Sequence, residues 1–127
     1  MNMTLTNNDI YNYANSLAQE FGQTDVKLPL KVNFYLQKNM KELIELAQDI
    51  EKQRIDIASE FGTLNEETQQ YDIPQENIAP ASRKLQDLFD LTQDVKIYKV
   101  KLDAFGDTEL TSGQMQALLF MIDDEEE

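Results

Sequence analysis

Apolar residues recur at helical spacing in several stretches of this chain. Ile10, Ala14, Leu17, Ala18 and Phe21 predict a first helix over about residues 6–21, with Gly22 as its stop. Its start has a mechanism: Thr6 caps the amide of Asp9, Asp9 favours the positive end of the helix, and Leu5 staples onto Ile10. Val26-Lys27-Leu28 reads as a short strand, and Pro29 suits the first turn of a second helix. Val26, Leu28, Leu30, Val32, Phe34 and Leu36 also alternate strictly, so a strand to Leu36 competes. The helix is preferred, because Leu36, Met40, Leu43, Ala47, Ile50, Arg54, Ile57 and Phe61 continue with spacings of 4, 3, 4, 3, 4, 3, 4. Arg54 alone violates this seam, and Gly62 supplies the C-cap.

Beyond Gly62, Leu64 and Tyr71-Asp72-Ile73 flank a polar tip, Asn65 to Gln70, and predict a small hairpin or extended loop. Pro80 cannot sit far inside a helix, so the next helix is expected to begin near Asn77. Its core positions are Ile78, Ala81, Leu85, Leu88 and Leu91, with Phe89 alongside. Val95, Ile97, Val100 and Leu102 mark a strand whose alternation slips near Tyr98 and Lys99, as a bulge would make it. Lys96, Lys99 and Lys101 fall largely on its wet side. Leu110-Thr111 and Gln114 repeat the staple and cap of the first helix, and Met115, Leu118, Leu119 and Ile122 share one face after it. Asp123 to Glu127 are all acidic; at a helix C-terminus they oppose the macrodipole, so a frayed tail is expected.

These elements predict one helix-rich α+β domain over residues 1–122 and an acidic tail over 123–127. The expected architecture is a long antiparallel helix pair with two shorter helices and a small sheet drawn from Val26–Leu28, Val95–Leu102 and Thr108–Leu110. A helix from Pro29 to Phe61 extends about 50 Å, whereas a compact chain of this length is about 36 Å across. Either the helix over 77–91 folds back along it, or the overhang docks on another chain, a second copy included.

Composition narrows the chemistry. The 127 residues carry 24 Asp and Glu against 11 Lys and Arg, a formal charge of −13. That field disfavours direct contact with nucleic acid and with anionic membranes. Cys and His are absent, which removes thiolate catalysis, an imidazole base, disulfides and ordinary zinc sites. With four glycines there is no phosphate-binding loop, nucleophile elbow or calcium loop. Asp103 and Asp107 bracket Phe105-Gly106, where turn chemistry explains them as well as a carboxylate pair does. No enzymatic activity, cofactor or metal is therefore expected. Neither a signal peptide nor an apolar run near 20 residues is present, so the chain is expected to be soluble and to stay in the compartment where it is made.

Glu42, Glu45, Asp49, Asp56 and Glu60 fall on one face of the long helix, interrupted only by Lys52. Carboxylates at this spacing roughly imitate a phosphate rail and could occupy a basic groove on another protein; they also suit the wet side of an amphipathic helix supported by pairs such as Asp49 with Lys52. Tyr11, Tyr13, Tyr35, Tyr71 and Tyr98 are either interface anchors or core-edge residues. Arg54 either pairs with Glu51 or Glu60 in the core or marks where the seam opens to solvent.

The run Leu28-Pro29-Leu30-Lys31-Val32 leading into Gln37-Lys38-Asn39 and a long charged helix resembles small proteins of bacteriophages and prophages of Gram-positive bacteria. So do the strand Val95 to Leu102 and Glu109-Leu110-Thr111 ahead of Gln114 to Ile122. The resemblance implies a phage origin and a helix-rich α+β fold, and transfers no activity and no site residues. Two functions are expected to compete. One is a protein-binding accessory, virion- or tail-associated or acting in assembly, with a phage structural protein as partner. The other is an acidic inhibitor of a host defence or nucleic-acid enzyme, a DNA mimic of the anti-CRISPR kind.

Overall fold

The computed structural model describes residues 2–22 and 26–123. The chain runs β1 (Asn2–Thr6), α1 (Asn7–Phe21), α2 (Leu30–Phe61), β2 (Thr63–Asn65), β3 (Gln70–Asp72), α3 (Gln75–Asp90), β4 (Thr92–Lys96), β5 (Val100–Lys101), a 3-10 turn (Leu102–Phe105), α4 (Ser112–Leu118), a second 3-10 turn (Leu119–Met121) and β6 (Ile122–Asp123). It is a helix-rich α+β fold with three two-stranded sheets: β1 and β4 antiparallel, β2 and β3 antiparallel, β5 and β6 parallel.

Helix α1 begins as its residues dictate. The Asp9 amide donates to Thr6 Oγ1 at 3.0 Å, and Asp9 Oδ2 accepts from the Thr6 amide, closing a capping box. Thr111 and Gln114 repeat it at α4. Along α2, Leu36, Leu43, Ile50 and Ile57 are buried and Met40, Ala47 and Phe61 half-buried, so the seam does face inward. Its 32 residues extend about 48 Å. Two helices return antiparallel along it. Tyr11 meets Glu51 while Ala18 lies beside Ile44, which fixes the direction of α1. Asn77 Nδ2 donates to the Phe61 carbonyl at 2.9 Å and Lys84 reaches Glu60, which fixes α3. The core of Ile10, Leu17, Val32, Leu43, Val95, Ile97, Leu118 and Met121 is enclosed by α1, α2, the β1–β4 ribbon and α4.

Two buried asparagines connect these layers. Asn39 of α2 is fully buried; its Nδ2 donates to the Tyr98 carbonyl and its Oδ1 accepts the Tyr98 amide, both at 2.8 Å. Residues 97–99 form no strand, and this side chain satisfies the backbone that the break leaves over. Asn7 is the second: Nδ2 donates to the Leu88 carbonyl, Oδ1 accepts from Gln93, and its amide donates to the Leu91 carbonyl, joining α1 to the end of α3 and the start of β4.

Several expectations are corrected. Val26–Leu28 is not a strand; it is irregular chain leading to the N-cap Pro29, and Leu28 packs on the core. Its expected place beside β4 is taken by Asn2–Thr6, which places Leu5 opposite Gln93 and Met3 opposite Val95. Thr108–Leu110 is not a strand either, and Ile122–Asp123 pairs with Val100–Lys101 instead. Asp123, the first residue of the expected tail, therefore lies in β6, and 124–127 fall outside the described residues. Helix α3 begins at Gln75 and holds Pro80 as its sixth residue, giving up one backbone hydrogen bond. Ala81 is its one buried residue; Ile78 and Leu91, expected in the core, are exposed. Leu119 is exposed as well, because the 3-10 tightening after Leu118 turns Phe120 and Met121 inward in its place.

Gly62 caps α2 in an extended conformation rather than a left-handed one. It is required by proximity, since a Cβ there would stand 2.6 Å from the Asp72 carbonyl oxygen of the hairpin. No helix among the described residues is long and apolar enough to cross a membrane. Replacing Asn39 by Ala removes both half-buried bonds to the Tyr98 backbone and leaves a cavity at a fully buried site, and is expected to cost about 2–4 kcal/mol in urea unfolding; Gln93→Ala, which loses one half-buried bond to Asn7, should cost about 1 kcal/mol or less.

Candidate functional site

The outer face of α2 carries all five carboxylates expected there. Glu42, Glu45, Asp49, Asp56 and Glu60 are each exposed, on the side away from the seam. From Glu42 to Glu60 the row extends about 27 Å along one helix. Glu60 is neutralised by Lys84 of α3, whose Nζ lies 2.7 Å from Glu60 Oε2. Among the described residues the other four form no ion pair, and the expected Asp49–Lys52 pair is not made. Ser59 Oγ donates to the backbone carbonyl of Asp56, and the Asp56 side chain is exposed.

The row is bordered by two concavities of different character. Glu42 and Glu45 share one with Lys38, Lys41, Lys96 and Tyr98. Asp49 stands at the rim of the other, a cleft of about 440 Å³ lined by Ile50, Leu88 and Leu91 together with Lys52, Gln53, Asn7 and Gln93. Leu91, at 59% exposure, is an apolar side chain held open to solvent at this cleft.

Arg54, the intruder in the seam, resolves both halves of its expectation. It forks onto Glu51 rather than Glu60: Nε donates to Oε2 at 3.0 Å and an Nη donates to Oε1, where the seam opens to solvent. Tyr11 completes the group by donating its hydroxyl to Glu51 Oε2 at 2.9 Å. Its hydrogen bond to Glu51 raises the Tyr11 hydroxyl above its ordinary pKa, the Arg54 fork holds the Glu51 carboxyl below its own, and the Glu51 carboxylate raises Arg54. Burial raises Tyr13, which stacks on Phe120 at 4.8 Å. The triad ties α1 to α2, and it also closes one end of a groove whose walls include Ala14, Ala18, Ile44 and Ala47.

The tyrosines divide accordingly. Tyr11, Tyr13 and Tyr35 pack at the core edge and Tyr71 lies in the hairpin. Tyr98 stacks on Tyr35 at 5.5 Å, and ammonium groups surround this pair: Lys96 Nζ lies 5.2 Å from the Tyr98 ring, and Lys38 Nζ lies 5.3 Å from Tyr98 and 5.1 Å from Phe34. Sequence reasoning missed this cationic and aromatic cluster. Its signal was present in Lys31, Phe34, Tyr35 and Lys38, which recur at helical spacing, but Lys96 reads as the wet side of a strand and Tyr98 as the point where its alternation slips. Asp103 is in a 3-10 turn closed by Gly106 at φ +56°, and among the described residues no three acidic groups converge as a metal-binding cluster would. No family model matches the chain, and neither a curated protein nor a solved structure is similar to it.

Because the Glu51 carboxyl is held down in the folded state, its pairing stabilises the fold above the ordinary carboxylate pKa and is lost as pH falls through the folded value. Glu51→Gln is expected to lose less than about 1 kcal/mol at neutral pH, since the pair is partly solvated, and the difference from the parent should vanish in acid, once pH has fallen below the lowered value of the Glu51 carboxyl. Urea titrations at the two pH values test this. A penalty that persists in acid would assign the effect to packing.

Proposed function

We propose that this protein is a non-enzymatic, phage-encoded accessory that acts by binding proteins through the acidic outer face of α2. It serves as a virion- or tail-associated component or an assembly factor, in the host cytoplasm or the particle. The observation that carries this proposal is the exposed carboxylate row, four of whose five members remain outside any ion pair among the described residues. Such charge orients and accelerates the approach of a basic surface, and apolar contact beside it supplies affinity. The apolar cleft beside Asp49 meets that second need. Phage origin is supported by the resemblance of the α2 entry and the closing segment to phage-encoded proteins.

The charge of −13 supports a second reading, an acidic inhibitor filling the nucleic-acid groove of a host defence enzyme. A magnitude separates the two. Five carboxylates over about 27 Å give one charge per roughly 7 Å, about half the density of a single DNA strand at one phosphate per 3.4 Å of axis. Lys84 reduces it further at Glu60. The row therefore supports docking on a moderately basic protein better than imitation of a duplex.

Affinity capture from phage-producing cells, quantified by mass spectrometry, tests the proposal against a Glu45→Lys/Asp49→Lys variant. A phage structural protein should be enriched by the parent and reduced at least about tenfold by the variant. Purified particles should contain the chain in stoichiometric amounts if it is a virion component. Identical capture by both forms would sink the proposal; loss of capture together with competition by DNA would favour the inhibitor.

A further inference from the structure

Six of the eleven cationic residues gather at one end of α2: Lys31, Lys38 and Lys41 on the helix, and Lys96, Lys99 and Lys101 on the segment that Asn39 pins to it. Aromatic faces hold several of these ammoniums without neutralising them, and among the described residues Lys38 and Lys96 make no ion pair with the neighbouring Glu42 and Glu45. Two apolar side chains project within the same cluster. Leu30 is 86% exposed and Phe34 55% exposed, one helical turn apart, with Lys31, Lys38 and Lys41 on the same side of the helix. The first turns of α2 thus present an apolar knob flanked by Lys31, Lys38 and Lys41, with Asp103 and Asp123 beside Lys31, Lys99 and Lys101.

The complementary surface lies further along the same helix. The cleft of Ile50, Leu88 and Leu91 is a largely apolar hollow with Asp49, Lys52 and Gln53 around it, and Glu45 and Asp56 stand with Asp49 on the same helix face. Phe34 and Ile50 are separated by about 24 Å of straight helix, so a copy cannot place its own knob in its own cleft. A second copy can.

We propose that copies of this chain associate by inserting the Leu30–Phe34 knob of one into the Ile50–Leu88–Leu91 cleft of another, with the lysines around the knob facing the acidic row. This rests on the reading that the acidic face of α2 is a docking surface, and names a second copy as its occupant. The two surfaces are unlike, so the contact is made twice in a closed dimer or once per copy in a growing chain. The like net charge of the copies acts over a Debye length of only about 8 Å at physiological ionic strength, whereas the opposite charges meet at contact.

Sedimentation velocity on the full chain, from about 10 μM to about 1 mM, reads the association directly. The parent should sediment faster as concentration rises. A knob variant, Phe34→Ser with Lys38→Glu, and a cleft variant, Asp49→Lys with Leu91→Gln, change only exposed residues, and each alone should associate at least about tenfold more weakly. Mixed, the two variants should form a 1:1 complex, since one retains the cleft and the other the knob. A parent that stays monomeric throughout, or variants that fail to complement while the parent associates, would overturn the proposal. If the copies stay monomeric while protein capture still depends on Asp49, only self-association falls. If neither measurement responds to Asp49, the docking surface falls with it.

Discussion

The amide of Asn39 is the interaction on which the arrangement of this fold depends. A chain that leaves one sheet and enters another within the interior carries backbone groups with no strand beside them, and each such group buried alone costs about 1–3 kcal/mol. Asn39 meets both groups of Tyr98 with one side chain, and its Nδ2 lies 3.4 Å from the Met121 sulfur as well. Because the amide comes from the third turn of α2, the break is held against that helix. Val95 and Ile97 on one side of it and Val100 on the other all remain buried. The same bond sets Tyr98 against Tyr35 and so builds the aromatic platform for the lysines.

That the hydrophobic pattern located the helices is explained by how each is stabilised. The α2 seam repeats over about seven turns and one side chain, Arg54, departs from it, so periodicity alone identifies the buried face. Both capped helix starts were legible because a capping box is a local device, complete within four residues. The short strands were not. β1 has five residues and doubles as the approach to a helix cap, while β5 and β6 have two each, too few for alternation to register. Asn39 itself is one polar residue on an otherwise amphipathic helix, and nothing local distinguishes a buried amide from a wet one. The acidic row was legible for the same reason as the seam. The cleft beside it was not, because it joins residues 7, 50, 88 and 93, which only the tertiary structure brings together.

Charge in this molecule is segregated rather than merely abundant. The acidic row of α2 is adjoined, where Glu42 and Glu45 border it, by a compact cationic region on the first turns of the helix, and aromatic rings hold several of its ammonium groups. A uniformly negative surface would repel every anion and attract every cation without preference. One helix bearing both signs at a fixed separation imposes direction on whatever approaches it, since only one orientation satisfies both ends.

The ribbon of β1 and β4 has a consequence for how the chain is made. Residues 2–6 close against 92–96, and Leu118 and Met121 sit fully buried in the same core. On the ribosome the first strand therefore waits for a partner roughly ninety residues behind it, and the interior is sealed only once Leu118 and Met121 have emerged too. The helices can form as they leave the tunnel, but the core they share closes only after Leu118 and Met121 have followed them. A nascent chain of this protein thus carries its amphipathic helices ahead of the residues that seal them.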